Sequence, residues 1–185
     1  MQKGKIIFLN GVSSSGKTTL SKALQAKLTK PFYLLSNDAF ADMSPEKFWD
    51  IDARTTYDTA LKAMYHSIKA FSDIGINTIV DDVLLNDDKF DRLTECVELL
   101  YEYNVLFVHV ICSNLDELRR REKERGDRDV GQGEGQLAEL NPQDTYDITV
   151  DTFNNTKEEC ADKIIGALAD SKNFMAFKTL WEQME

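Results

Sequence analysis

A chain of 185 residues is long enough for one domain with a sizeable core. Hydrophobic residues at 42% and charged residues at 29% are ordinary for a soluble globular protein. A net charge of −10 argues against a broad nucleic-acid or anionic-membrane surface, because neutralising many phosphates takes clustered Lys and Arg. No apolar run reaches the length of a membrane span. The three cysteines, Cys96, Cys112 and Cys160, lack metal-ligand spacing and read as reduced thiols of a cytoplasmic chain. Met1 to Lys5 leads straight into the first apolar run, so no secretory leader is expected.

That run, residues 5–9, reads as a buried strand. After it comes Gly11-Val12-Ser13-Ser14-Ser15-Gly16-Lys17-Thr18, and a helical pattern follows at 17–29. Strand, G-x-x-x-x-G-K-[ST], helix is the context a phosphate-binding loop requires. A polyphosphate needs several backbone N–H donors converging on it, hence a tight turn of small residues at a helix N-terminus. Gly11, Val12, Ser13, Ser14, Ser15, Gly16, Lys17, Thr18 and Thr19 are therefore the expected nucleotide-binding residues. Lys17 can reach the outer phosphates, and the Thr18 hydroxyl is placed to ligate magnesium.

Pro31 ends the first helix, and Phe32 to Leu35 is a short second strand running into Ser36-Asn37-Asp38. Asp38 is the candidate general base; the competing reading is an N-cap for the segment after it. Helices are expected at 45–51 and 55–73, the second closed by Gly75. A third strand, 76–80, runs into Asp81-Asp82, one of which is expected to hold magnesium and the other to be structural. The pattern does not say which.

A helix at about 87–102 precedes the most apolar strand, Val105 to Ile111, and a basic helix follows at about 114–125. Arg119 and Arg120 fit a solvated face. Arg121 and Arg125 share a helical face, and Arg128 falls after Gly126, where the helix should open. Arginines ahead of Gly131, Gly133 and Gly135 suit a mobile lid, about 119–136, that closes on transferring phosphates; simple disorder is the alternative. A short strand at 147–151, a helix at about 156–169 and a helical tail from 171 complete the chain. His66 and His109 carry no functional claim, and His109 reads as a hydrogen-bonded core residue. Alternating strand and helix imply a parallel sheet covered on both faces, with ligands beyond the carboxyl ends of the strands.

Several stretches together resemble the chloramphenicol phosphotransferase family of small antibiotic-modifying kinases. They are Leu9-Asn10-Gly11 with Ser13-Ser14 and Gly16-Lys17, then Asp38 and Val80-Asp81-Asp82-Val83. Further on come Arg121-Glu122, Arg125-Gly126-Asp127-Arg128, Gln136, Tyr146-Asp147, Val150-Asp151-Thr152 and Glu159-Cys160-Ala161. The resemblance runs to about residue 168. It implies a P-loop kinase fold, a three-layer α/β/α sandwich with a five-stranded parallel sheet in the order 2-3-1-4-5, as a single domain over 1–185. It also implies ATP as donor, a small-molecule hydroxyl as acceptor, Asp38 taking the acceptor proton and Arg128 touching the transferred phosphate. The acceptor-pocket helices would lie at about 39–73. Where that family carries a histidine before the Tyr-Asp pair, this chain has Asn141-Pro142. Phe40 to Phe71 shows little similarity to the antibiotic kinase.

The reading is an ATP- and magnesium-dependent kinase with Asp38, Lys17, Arg125 and Arg128 catalytic, Arg121 on the nucleotide, and Thr18 with Asp81 or Asp82 on the metal. Two alternatives stay open. One is a metabolic kinase of a nucleoside, sugar acid or sulfated nucleotide; the other is a nucleotide switch without transfer. The acceptor, and whether the chain forms a homo-oligomer, stay open as well.

Overall fold

Strands that are apolar on both faces need helices on both faces, and the chain supplies them in alternation. The computed structural model describes residues 2–85, 91–126, 129–170, 172 and 174–184. Within these, β1 (Lys5–Asn10), β2 (Phe32–Ser36), β3 (Asn77–Asp82), β4 (Asn104–Ile111) and β5 (Ile148–Asp151) form one sheet. Its order is β2-β3-β1-β4-β5 and every pairing is parallel, as the resemblance implied.

Alternation along the strands divides the core into two layers. Ile6, Phe8, Val80, Val105 and Phe107 face α3 (Glu46–Asp73), α4 (Arg92–Leu100) and α8 (Ala176–Met184). Ile7, Leu9, Ile79, Leu106 and Val108 face α1 (Lys17–Lys27) and α7 (Lys157–Ala169). Phe107 is fully buried and packs against Phe8, Tyr146 and Phe177 with ring centroids 4.6 to 5.6 Å apart. The α8 helix is tied in by Asp147, whose Oδ1 accepts from the Met175 and Ala176 N–H groups at 2.8 Å each.

The elements depart from the sequence reading in three places and bear it out in a fourth: the helices expected at 45–51 and 55–73 are two, meeting within α3 at a break at Asp52, whose backbone leaves helical geometry at φ −155°, ψ 83°. Its carboxylate accepts from the Thr55 N–H at 3.0 Å and caps the helix as it restarts. A short α2 (Asn37–Asp42) follows β2, and α6 (Gln132–Gln136) occupies the glycine-rich segment; neither was expected as a helix. The helix expected from about 87 is described from Arg92, where Asp91 caps it by accepting from the Thr94 N–H; residues 86–90 lie outside the described residues. The arginine-rich helix is α5 (Leu115–Arg125), as expected. All three cysteines are buried and unpaired. His109 is half-buried and stacks face to face on Tyr146, 4.3 Å between centroids. Among the described residues no helix is long and apolar enough to cross a membrane.

Truncating Phe107 removes the ring that three others pack on. Phe107→Ala is expected to lower the unfolding free energy by about 3–5 kcal/mol. Urea unfolding measures it, and a loss under about 1 kcal/mol would show that α8 is not held through this ring.

Candidate active site

The carboxyl ends of β2, β1 and β3 lie side by side, since Leu9 and Asn10 pair with Asp81 and Asp82, and Ser36 pairs with Asp81. Whatever follows those strands is brought to one place. After β1, Gly11 admits no side chain: a Cβ there would stand 2.2 Å from the Val110 carbonyl oxygen of β4. Ser14 (φ 59°) and Gly16 (φ 99°) are left-handed, which turns the loop back on itself ahead of α1. The Ser14 and Ser15 hydroxyls are sealed from solvent and have no hydrogen-bond partner among the described residues. Such a cradle of orphaned donors at a helix N-terminus fits an anionic phosphate.

Lys17 is buried in the same loop, and its Nζ donates to the Gly11 carbonyl at 2.7 Å and the Val12 carbonyl at 3.0 Å. Burial holds its pKa below the usual lysine value, against the opposing pull of Asp81, Asp82 and Asp38; Arg125 adds to the lowering. Beside it the Thr18 hydroxyl donates to Asp81 Oδ2 at 2.7 Å. Hydroxyl and carboxylate oxygens brought together next to a phosphate cradle suit a hard cation such as magnesium.

The two aspartates left undivided by the sequence part company because strand neighbours point to opposite faces. Asp81 shares the α1 face with Ile79. Asp82 shares the α3 face with Val80, is fully buried, and accepts from the Tyr65 hydroxyl and the Val83 N–H at 2.8 Å each. Burial pushes its carboxyl above the usual range, and the bonds from Tyr65 and Val83 work against that. Asp82 has the surroundings of a structural residue.

Asp38 stands in the first turn of α2. The cap there is Ser36, whose hydroxyl accepts from the Ala39 N–H at 3.3 Å, so the capping role weighed for Asp38 belongs to its neighbour. Asp38, Lys17, Thr18, Asp81, Arg121 and Arg125 border one cavity of about 800 Å³. Serine and glycine positions 13, 14 and 16 and Thr19 also border it.

The arginines divide by face. Arg119 pairs with Asp116 and Glu134 on the exposed side of α5, whereas Arg120, paired with Glu117 and Glu124, also borders the cavity. Arg121 turns inward: it donates to Glu117, to the Thr152 hydroxyl at 2.9 Å and to the Thr152 carbonyl at 3.0 Å. Thr152 in turn donates to the Ser15 carbonyl at 2.7 Å, so Arg121 braces the phosphate loop through it. Arg128 lies outside the described residues.

In the glycine-rich segment, where a lid was expected, Gly131 and Gly133 are held through their backbone N–H groups. Glu122, fully buried, accepts from their N–H groups at 2.7 and 2.6 Å. A Cβ on Gly133 would meet the Ser13 carbonyl at 2.6 Å, and Gln136 Oε1 accepts from the Ser13 N–H at 2.7 Å. The segment is fastened to the phosphate loop.

Sequence reasoning gave no role to Glu122, Asn10, Tyr57 or Arg92. Asn10 donates to the Asn141 carbonyl and the Tyr146 hydroxyl and accepts from the Leu84 N–H, joining three segments at the end of β1. Arg92 is buried beside the cavity with Tyr57. Glu122 had one signal: it lies four residues after Leu118, which is buried, and so on the same face.

The family described as chloramphenicol phosphotransferase-like protein matches residues 4–169. A protein of Mycobacterium tuberculosis strain H37Rv, provisionally named an O-phosphotransferase, is 29% identical over 97% of this chain and 89% of its own length. An adenylyl-sulfate kinase of Clostridium acetobutylicum is 26% identical over 92% of this chain and 86% of its own. Among solved structures, the APS kinase of Mycobacterium tuberculosis in complex with AMPPNP and APS superposes with a TM-score of 0.71 at 17% identity, covering 92% of this chain and all of the other. The chain belongs to the chloramphenicol phosphotransferase-like family, its fold is that of the P-loop kinases, and it is an enzyme of the kinase type.

Asp82→Ala would orphan the Tyr65 hydroxyl and the Val83 N–H. The expected loss is about 1–3 kcal/mol of stability for each group left unpaired. A urea midpoint equal to wild type would show that Asp82 is not a packing residue.

Proposed function

We propose that this member of the chloramphenicol phosphotransferase-like family transfers the γ-phosphate of ATP to a hydroxyl of a small molecule. One observation carries the reading: the Thr18–Asp81 hydrogen bond of 2.7 Å lies in the same cavity as Lys17 and Asp38. Donor phosphates, a cation and an acceptor hydroxyl would meet there.

The loop N–H groups and the Ser14 and Ser15 hydroxyls cradle the phosphates, and the Lys17 ammonium reaches the outer ones. Thr18 and Asp81 would hold magnesium, which when bound offsets charge on the bridging phosphate oxygens. Asp38 orients the acceptor hydroxyl and takes its proton as the oxygen attacks phosphorus. The bond between the γ-phosphorus and the bridging oxygen breaks, leaving ADP and a phosphate ester. Arg125, which borders the same cavity, adds positive charge where it develops, and Arg128 is assigned the same task from its place in the motif. Arg121 sits near the nucleotide side and holds the loop.

Two variants test this. Asp38→Asn is expected to reduce transfer by about 10²–10⁴-fold, the usual contribution of a positioned base. ATP affinity and melting temperature should stay near wild type, because Ser36 caps the helix. Transfer at the wild-type rate would remove Asp38 from the chemistry. Lys17→Ala should weaken ATP binding and abolish transfer, and unchanged ATP affinity and turnover would overturn the loop assignment.

A further inference from the structure

Past Asn37 and Asp38 the cavity continues to Tyr57, Val83 and Arg92. Arg92 is the first residue of α4 and only 8% exposed. Arginine keeps its charge when buried and offers five N–H donors with no acceptor, so each donor needs a partner. Here Nη1 donates to the Val83 carbonyl at 3.2 Å, and the guanidinium carbon lies 5.2 Å from the centre of the Tyr57 ring. Nε is sealed from solvent without a partner among the described residues. Nη2 has no hydrogen-bond partner among the described residues either, and it is not one of the sealed atoms, which leaves it as the nitrogen a ligand can meet.

The Asp82 carboxylate does not fill this role. Asp82 acts on Arg92 electrostatically, yet its two oxygens accept from Tyr65 and Val83, and the two side chains form no ion pair. Among the described residues the result is a cation, half satisfied, beside the cavity that Asp38 also borders. Lys17 and Arg125, the cations suited to the nucleotide phosphates, belong to the loop and to α5. Elsewhere on the cavity Arg120 and Arg121 are already paired with Glu117 and Glu124, and Lys157 lies at the start of α7.

We infer that Arg92 is the anion-recognition residue of the acceptor pocket, and that the acceptor carries a carboxylate, sulfate or phosphate besides the hydroxyl it presents to Asp38. This rests on the kinase reading. A guanidinium fork matches these planar or tetrahedral anions and binds them more strongly than neutral groups. A neutral acceptor, chloramphenicol included, leaves Nη2 without its charged partner.

The test sets charged acceptors against uncharged counterparts: shikimate with its methyl ester, gluconate with glucose, and adenylyl sulfate with adenosine. Binding is measured by calorimetry in the presence of a non-hydrolysable ATP analogue, and transfer separately with labelled ATP. Wild type should bind a charged member at least about tenfold more tightly than its counterpart, as expected for hydrogen bonds to a charged group. Arg92→Gln should remove that preference and leave the neutral member's affinity unchanged, with Arg92→Lys in between. Melting temperature and analogue affinity report the fold of each variant, and the wild-type preference stands as a test if Arg92→Gln does not fold. Equal binding of charged and neutral members, binding of no charged member, or a preference that survives Arg92→Gln would overturn the inference. An Arg92-dependent preference without transfer would uphold the anion site and remove the kinase reading instead.

Discussion

Burial of the Lys17 ammonium is the constraint the site is built to meet. A buried cation without compensation is too expensive to keep. Its neighbours are the carbonyls of Gly11 and Val12 within the loop, and the carboxylates of Asp81, Asp82 and Asp38 at the ends of β3 and β2. Those carboxylates converge only because the strands run parallel and end level, with Leu9 beside Asp81 and Ser36 beside it on the other side. A phosphate entering the cradle gives the ammonium charged acceptors in place of two neutral carbonyls. The free energy stored in a poorly solvated lysine is thereby turned toward binding.

Much of this was legible in the sequence because it depends on local chemistry. The loop announces itself through glycines that the backbone needs, Gly11 against the Val110 carbonyl and Gly16 at positive φ. Alternation separates strands from helices, and resemblance supplied the sheet order. The choice between Asp81 and Asp82 was nearly within reach, since Asp81 must share a face with Ile79. What the sequence lacked was which face turns to α1, a property of the chain's path across the sheet. Arg92 was invisible for a different reason: a single arginine at a helix start has no periodicity, and its burial depends on Tyr57, thirty-five positions earlier in the numbering.

The glycine-rich segment shows what composition leaves out. Glycines at 131, 133 and 135 read as freedom to move, with simple disorder as the alternative. Buried Glu122 adds a contact that neither reading contained. A carboxylate in an apolar surrounding needs donors, and the Gly131 and Gly133 N–H groups supply two. At position 133 glycine serves close approach, because any side chain would strike the Ser13 carbonyl. Gln136 then accepts from the Ser13 N–H, so α5, α6 and the phosphate loop are tied together at the loop's own backbone.

The two halves of the cavity rest on different kinds of structure. Strand ends and the glycine turn fix the phosphate side, where a shift of one residue would exchange Asp81 for Asp82 and break the Thr18 bond. Helical segments shape the side proposed to take the acceptor, and α3 sets its geometry through one break. Asp52 leaves the helix and caps its restart, and that restart determines which residue of the next turns faces inward. Tyr57 is that residue. Its hydroxyl accepts from Asn37 Nδ2 at 3.3 Å, beside Asp38, while its ring faces the Arg92 guanidinium. One side chain therefore spans the distance between the candidate base and the unsatisfied cation. Moving the break by a residue would rotate Tyr57 by about 100° around the helix and part the two groups, while leaving the phosphate side as it is.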